Sequence, residues 1–427
     1  MKKISKWLAL VVTVFLVLAG CSGGGDSSEK SGKGENGKVQ ISFINGFTGG
    51  DGAYMKKITD AFNASQDKYE VVELQEKDHY TKFKSGNYDL VVIHGNNLET
   101  YKQDGLIQDI TPVLEKAGIS EADFHQAGID AVKLDDAMYA VPLDIHPLTM
   151  FYNKEFVKEA PKTYEDLVKL NGELQAQSKD LYALGVPSSG LVEFYMLMIA
   201  AQNGIDIDKD GYMNFAQPEY ADALMQFHDM IWKDKVSPAG LGLDGEFQTF
   251  MKEAQEGKAY QTAVALTGPW FYGGAKEKYA DNLGVAPIPQ IGSQAGAYGN
   301  SHTIALPTNV KDEEKLAGIA EYLKFMYTPE NLINWADGGQ APVHLATLEK
   351  ISADQDTYQI AYQNSQQFDD YVSAPQVYQF GEQMRYMNES VFSKLVTTEK
   401  ITKDDLMKEL EQATEMAKQI AATAPQQ

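Results

Sequence analysis

The stretch that most restricts the fold is Asp89-Leu90-Val91-Val92-Ile93, an unbroken apolar run closed by His94-Gly95-Asn96-Asn97. A strand with one wet face alternates apolar and polar residues. A continuous run instead marks a parallel strand covered on both faces. The preceding chain fits that reading. Val39 to Ile44 alternates as a strand, Asn45 to Gly52 is a glycine-rich loop, Ala53 to Ser65 sets Met55, Ile58 and Phe62 on one helical face, and Tyr69 to Leu74 reads as a second strand. In open α/β sheets ligands bind beyond the carboxyl ends of the strands. That rule nominates His94 and Asn96, and in the first strand-to-helix loop Phe47, Thr48 and Asp51. The spacing of Gly46, Gly49, Gly50 and Gly52 matches neither a dinucleotide nor a phosphate loop, so a nucleotide site is rejected.

The alternation continues. Two apolar runs, Tyr139 to Leu143 and Leu148 to Tyr152, are separated by Asp144-Ile145-His146-Pro147; Thr163 to Asp166 reads as a capping box for a helix carrying Leu167, Leu170 and Leu174. Strands are expected at Tyr182 to Val186, Tyr260 to Leu266, Leu283 to Ile288 and Thr303 to Leu306. Helices are expected at 192–202, 218–232, 246–256 and 311–327, with a mostly helical tail from about residue 354 to 422. Strands alternating with helices define an α/β architecture.

The amino terminus carries an address. Lys2, Lys3 and Lys6 precede an apolar block from Trp7 to Leu18, too short to span a bilayer comfortably and shaped like a secretory signal. Leu18-Ala19-Gly20-Cys21 resembles the lipobox of bacterial lipoproteins, which implies cleavage before Cys21 and a lipid on its sulfur. Cys21 is the sole cysteine and has no disulfide partner. Ser22 to Gly37 holds only small, polar and charged residues, a composition that reads as a flexible tether.

Charge then narrows the ligand. A formal charge of −23 repels nucleic acid and anionic lipid, and the single arginine, Arg385, disfavours a strongly anionic small ligand. With 23 tyrosines the chain is well supplied with flat amphipathic surfaces for a neutral polar one.

Phe151-Tyr152-Asn153-Lys154-Glu155-Phe156, then Pro161 to Leu167, Gly257-Lys258-Ala259, Gly268-Pro269-Trp270 and Gly338-Gly339-Gln340-Ala341-Pro342 together resemble family 1 of the bacterial extracellular solute-binding proteins, the capture subunits of carbohydrate ABC importers. Tyr260-Gln261 departs from the pattern, where the family more often has Ala-Met. The resemblance implies a two-lobed periplasmic-binding-protein-like α/β fold, with a ligand cleft between lobes joined by crossover hinge strands. On that picture residues 1–20 are the signal peptide and 21–37 the lipidated cysteine and tether. Residues 38–145 plus 300–340 form the amino-terminal lobe, and 146–297 plus 341–427 the carboxyl-terminal lobe. Asp144 to Pro147 and Tyr298 to Thr303 would be breaks between strands, at the hinges.

The implied activity is non-catalytic: a membrane-anchored monomer outside the cytoplasm that binds a neutral mono- or oligosaccharide and delivers it to an ABC permease. No cofactor is expected. Trp270 is the first candidate contact, as an aromatic platform; Asp144 and His146 sit at an expected crossover; Ser189, Glu193, Asn300, His302, Gln340 and Tyr378 are further candidates, and Trp335 reads equally as platform or core. Asp206, Asp208, Asp210 and Gly211 satisfy half of a calcium loop, but its twelfth position is Gln217 where a bidentate glutamate is needed, so an acidic turn is the better reading. The seven histidines show no pair at helical metal spacing, which speaks against zinc. Two alternatives stand beside this reading: a secreted carbohydrate-active hydrolase, for which no carboxylate pair is nominated, and a receptor for a polyamine or metal chelate.

Overall fold

The computed structural model describes residue 34, residues 37–254 and residues 257–425. The expected signal peptide, Cys21 and the tether lie outside the described residues, save for residues 34 and 37. Among the described residues no helix is long and apolar enough to cross a membrane.

Strand β1 (Val39–Asn45) runs parallel to β2 (Tyr69–Gln75) and to β3 (Leu90–His94). The continuous apolar run is sealed: Leu90 to Ile93 are at most 1% exposed. Helices Gly52–Ser65 and Glu313–Met326 bring Met55, Ile58, Phe62, Ile319, Tyr322 and Leu323 into the same core. Each such side chain contributes about 1.5–3 kcal/mol by leaving water. Asp89 holds the entry to β3, accepting from the Ser42 amide at 2.8 Å and pairing with Lys315 at 2.8 Å.

Two long antiparallel strands, Ala140–Pro147 and Ala297–Pro307, are buried along their whole length and run side by side from Ala305 opposite Ala140 to Gly299 opposite Pro147. Ala297–Pro307 also pairs with β3, placing His302 opposite His94. At Gly299 the strands approach too closely for any side chain. A Cβ there would lie 2.5 Å from the His146 carbonyl oxygen. The stretches Asp144 to Pro147 and Tyr298 to Thr303, expected as breaks, are therefore continuous strand. Their polar residues bond to one another within the sheet, which removes the reason for polarity to mean a loop.

The second lobe is built on Thr149–Asn153, flanked by antiparallel Val264–Thr267 and Leu283–Ala286. Helices Val192–Ala201, Pro218–Trp232 and Lys403–Ala421 add Tyr195, Phe227 and Leu406 to a separate core. Helix Tyr164–Gln177 starts in the expected box, Thr163 and Asp166 capping each other's backbone. The strand expected over 182–186 shortens to Leu181–Tyr182, and the helix expected over 246–256 to Gly245–Phe250.

The lobe boundary also moves. Ala341, Val343, Ile351, Ala361 and Phe368 pack in the first lobe's core, whereas Ala374, Val377 and Phe380 pack in the second. Ala341 to Val343 run back along the crossover strand, Ala341 and Leu143 accepting from Ile145 and Val343, while helix Gln359–Ser365 touches both lobes, Ala361 packing in the first core and Ile360 against Phe151 and Val285 of the second. The chain thus crosses a third time near Tyr371–Val372, which pairs with Ala297–Tyr298.

Candidate ligand site

The strand register assembles the centre of the cleft. His302 stands opposite His94 on one side and Asp144 on the other, and His146, two residues past Asp144, shares its face. A bulge after His302 shifts the register there, the usual device for re-aiming a side chain. Asp144 is fully buried and is the hub. It accepts from Trp335 Nε1 at 2.6 Å, His302 Nδ1 at 2.9 Å, His146 Nδ1 at 3.0 Å and the His302 amide at 3.2 Å. His94 completes the group, its Nδ1 lying 2.7 Å from the Tyr80 hydroxyl.

These contacts fix the charges. Burial pushes the Asp144 acid up, but the charge and hydrogen bonds of His302 and His146 outweigh it and hold the carboxyl well below the usual range. Burial pulls His302 down and Asp144 overrides that, leaving it raised. Burial and repulsion from His302 lower both His146 and His94, so neutral imidazoles flank one carboxylate–imidazolium pair. The centre carries almost no net charge, and its neutral rings can both donate and accept.

The walls come from both lobes. Phe47 meets His302 edge-on at 4.9 Å between centroids and leans on Trp335 at 4.8 Å. Phe47, Thr48, Asp51, Tyr80, His94 and His302 line a cavity of about 340 Å³. From the second lobe Trp270, 43% exposed, stands nearly perpendicular to His146 with centroids 5.9 Å apart and lies beside Phe194. Gly268 permits this, since a Cβ there would lie 2.2 Å from the Trp270 ring. Ser189, Glu193, Phe194 and Asn388 line a second cavity of about 470 Å³. Glu193 accepts from the Tyr298 hydroxyl at 3.2 Å, and burial raises its acid against bonds from Tyr298, Asn388 and the first-lobe residue Asn96.

Other candidates lie elsewhere. Trp335 is a core residue that orients Asp144. Tyr378 is buried, with its hydroxyl donating to Asp104 at 3.0 Å beside a Gln379-to-Thr100 bond, a clasp between the lobes instead of a cleft wall. Asn300 is buried and caps the Ser301 amide with its own oxygen, and Gln340 is buried with Oε1 unpartnered. Asp206, Asp208 and Asp210 form a hairpin, Asp208–Lys209 against Tyr212–Met213, with positive φ at Asp210 and Gly211. Gln217, at the twelfth position, spends its amide on the Asp206 and Asn214 carbonyls. Sequence reasoning missed Tyr80 and Phe194. Neither has a flanking turn or motif that would single it out.

A model of bacterial extracellular solute-binding proteins matches residues 57–361. The maltodextrin-binding protein MdxE of Bacillus subtilis is 29% identical over 204 residues, 44% of each chain, so the match spans less than half of that relative. The multiple sugar-binding protein of Streptococcus mutans is 24% identical over 79% of this chain and 81% of its own. Among solved structures, the sugar-binding protein MalE from Xanthomonas citri superposes with a TM-score of 0.74 at 18% identity, covering 89% of this chain and 98% of that one. Maltose-bound MalE3 of T. maritima gives 0.70 at 19% identity, over 88% and 98%.

Proposed function

The chain belongs to the bacterial extracellular solute-binding proteins, and on that premise we propose that it captures a neutral mono- or oligosaccharide in the interlobe cleft and presents it to an ABC permease. The observation that carries the reading is Trp270, a large exposed aromatic held over a floor of neutral imidazoles. A pyranose offers flat C–H faces to such a ring and hydroxyls that both donate and accept to the floor. Phe47, Thr48, Asp51, His94, Asn96, Ser189 and Glu193 complete the contacts. Asp144 acts through His146 and His302, and Trp335 and Tyr378 hold the frame. The relatives are named for binding maltodextrin and multiple sugars, which supports the ligand class.

Loading favours the closed pair of lobes, and the permease reads closure. The receptor works as a monomer outside the cytoplasm, tethered by lipid on Cys21, so its concentration at the permease is high. Calorimetry against a panel of neutral sugars is expected to give saturable heat with at least one mono- or oligosaccharide. No heat from any neutral sugar, with tight binding of an anion or polyamine, would overturn the ligand class.

A further inference from the structure

His94, His146 and His302 each bring one ring nitrogen to within 4.8 Å of those of the other two. Their positions in the chain hide this, because the three reach the cleft from three neighbouring strands through the register described above. We infer that this cluster is a binding site for a divalent transition-metal ion of the imidazole-preferring class, Zn²⁺, Ni²⁺ or Cu²⁺. Helical spacing tests only for ligands on one helix, and these three sit on a sheet.

The outer contacts are those such a site requires. Metal-binding histidines turn the second ring nitrogen to a carboxylate, a carbonyl or another polar group, which sets the tautomer and aims the first. Nδ1 of both His146 and His302 faces Asp144, so Nε2 is the nitrogen left for the metal, His302 giving up its Nε2 proton on binding. Nδ1 of His94 faces the Tyr80 hydroxyl, which also accepts the His94 amide at 2.9 Å. Asp144 is itself pinned by Trp335. Metal–nitrogen bonds of about 2.0–2.1 Å at tetrahedral angles place ligand atoms roughly 3.4 Å apart, so the rings close inward by about 1 Å or a little more. Three protein ligands leave a fourth position open. Asp51 lines the same cavity as His94 and His302 and offers a carboxylate oxygen for that position.

The inference stands apart from the sugar reading, and its test keeps them apart. Untagged, chelator-washed protein is titrated with Zn²⁺ by calorimetry and with Co²⁺ by visible absorption, without sugar. One Zn²⁺ per chain is expected, together with an intense tetrahedral Co²⁺ band that Zn²⁺ displaces. His94→Gln and His302→Gln each weaken Zn²⁺ binding at least tenfold, and Asp144→Asn by about 10–100-fold. His125→Gln and His228→Gln, which alter histidines outside the cluster, leave it unchanged. Absence of the Co²⁺ band in the unmodified protein, or undiminished Zn²⁺ affinity in His302→Gln, overturns the site. The unmodified protein decides the matter even if a variant fails to fold. Sugar heats in excess chelator report on the sugar reading alone.

Discussion

Glu246 offers the sharpest test of the electrostatics behind the cleft. It is the second residue of helix Gly245–Phe250 and is fully buried; Thr267 Oγ1 donates to its Oε1 at 3.1 Å, and Oε2 has no partner. Thr267 leads directly into Gly268-Pro269-Trp270, so the carboxyl underlies the platform loop. Burial foremost, with Asp244 adding repulsion, pushes the acid from its ordinary 4.5 up to about 8. A raised carboxyl means the native protein keeps a proton that the unfolded chain releases. Stability from this group is full below pH 4.5 and declines as pH rises toward 8. At 1.36 kcal/mol per unit the decline reaches about 3 kcal/mol by pH 7 and levels off near 5 above the folded value. Glu246→Gln abolishes the titration. Any misfit of the amide shifts the variant equally at every pH, so only the slope belongs to the carboxyl. Guanidinium unfolding of both proteins at pH 5, 7 and 9 is expected to show the variant gaining about 2–3 kcal/mol on the unmodified protein between pH 5 and 7. Stability differences constant across that range would refute the argument.

Trp270→Ala is expected to weaken sugar binding about 30-fold by calorimetry, near 2 kcal/mol, while leaving the melting temperature unchanged. Gly268→Ala would push on the same ring and lower affinity without removing the aromatic, a distinction intrinsic fluorescence can follow. Gly299→Ala forces the crossover strands apart and should lower stability by about 1–3 kcal/mol in denaturant unfolding. Cys21→Ser is expected in the culture medium or unprocessed, with sugar affinity equal to the unmodified protein; reduced affinity would mean the tail does more than tether.

How much of this was legible depended on distance along the chain. Local signals were readable: the run Leu90 to Ile93, the Thr163 box and the Gly268-Pro269 turn before Trp270 all rest on neighbours. Phe47, Thr48, Asp51 and His94, each nominated singly from a strand end, line one cavity. What no local rule contains is register. Asp144 meets His302 across 158 residues and Trp335 across 191, and only pairing two particular strands reveals that four polar residues make one group. The same blindness made Asp144 to Pro147 look like a break, since a polar residue in mid-strand is unfavourable until its partners are known.

The interleaving of the two cores also governs when the protein can exist. Residues 39–145 lack the strand Ala297–Pro307 that covers the edge of β3, and they lack the helices up to Phe368 that finish their core. A chain delivered from its amino terminus therefore carries an unfinished first lobe, with an open strand edge exposed to neighbours, until most of its length has emerged. The second lobe must wait still longer, for helix Lys403–Ala421. Assembly is thus concentrated late in chain delivery, and the histidine centre, drawn from β3 and both crossover strands, cannot form before Ala297–Pro307 has arrived.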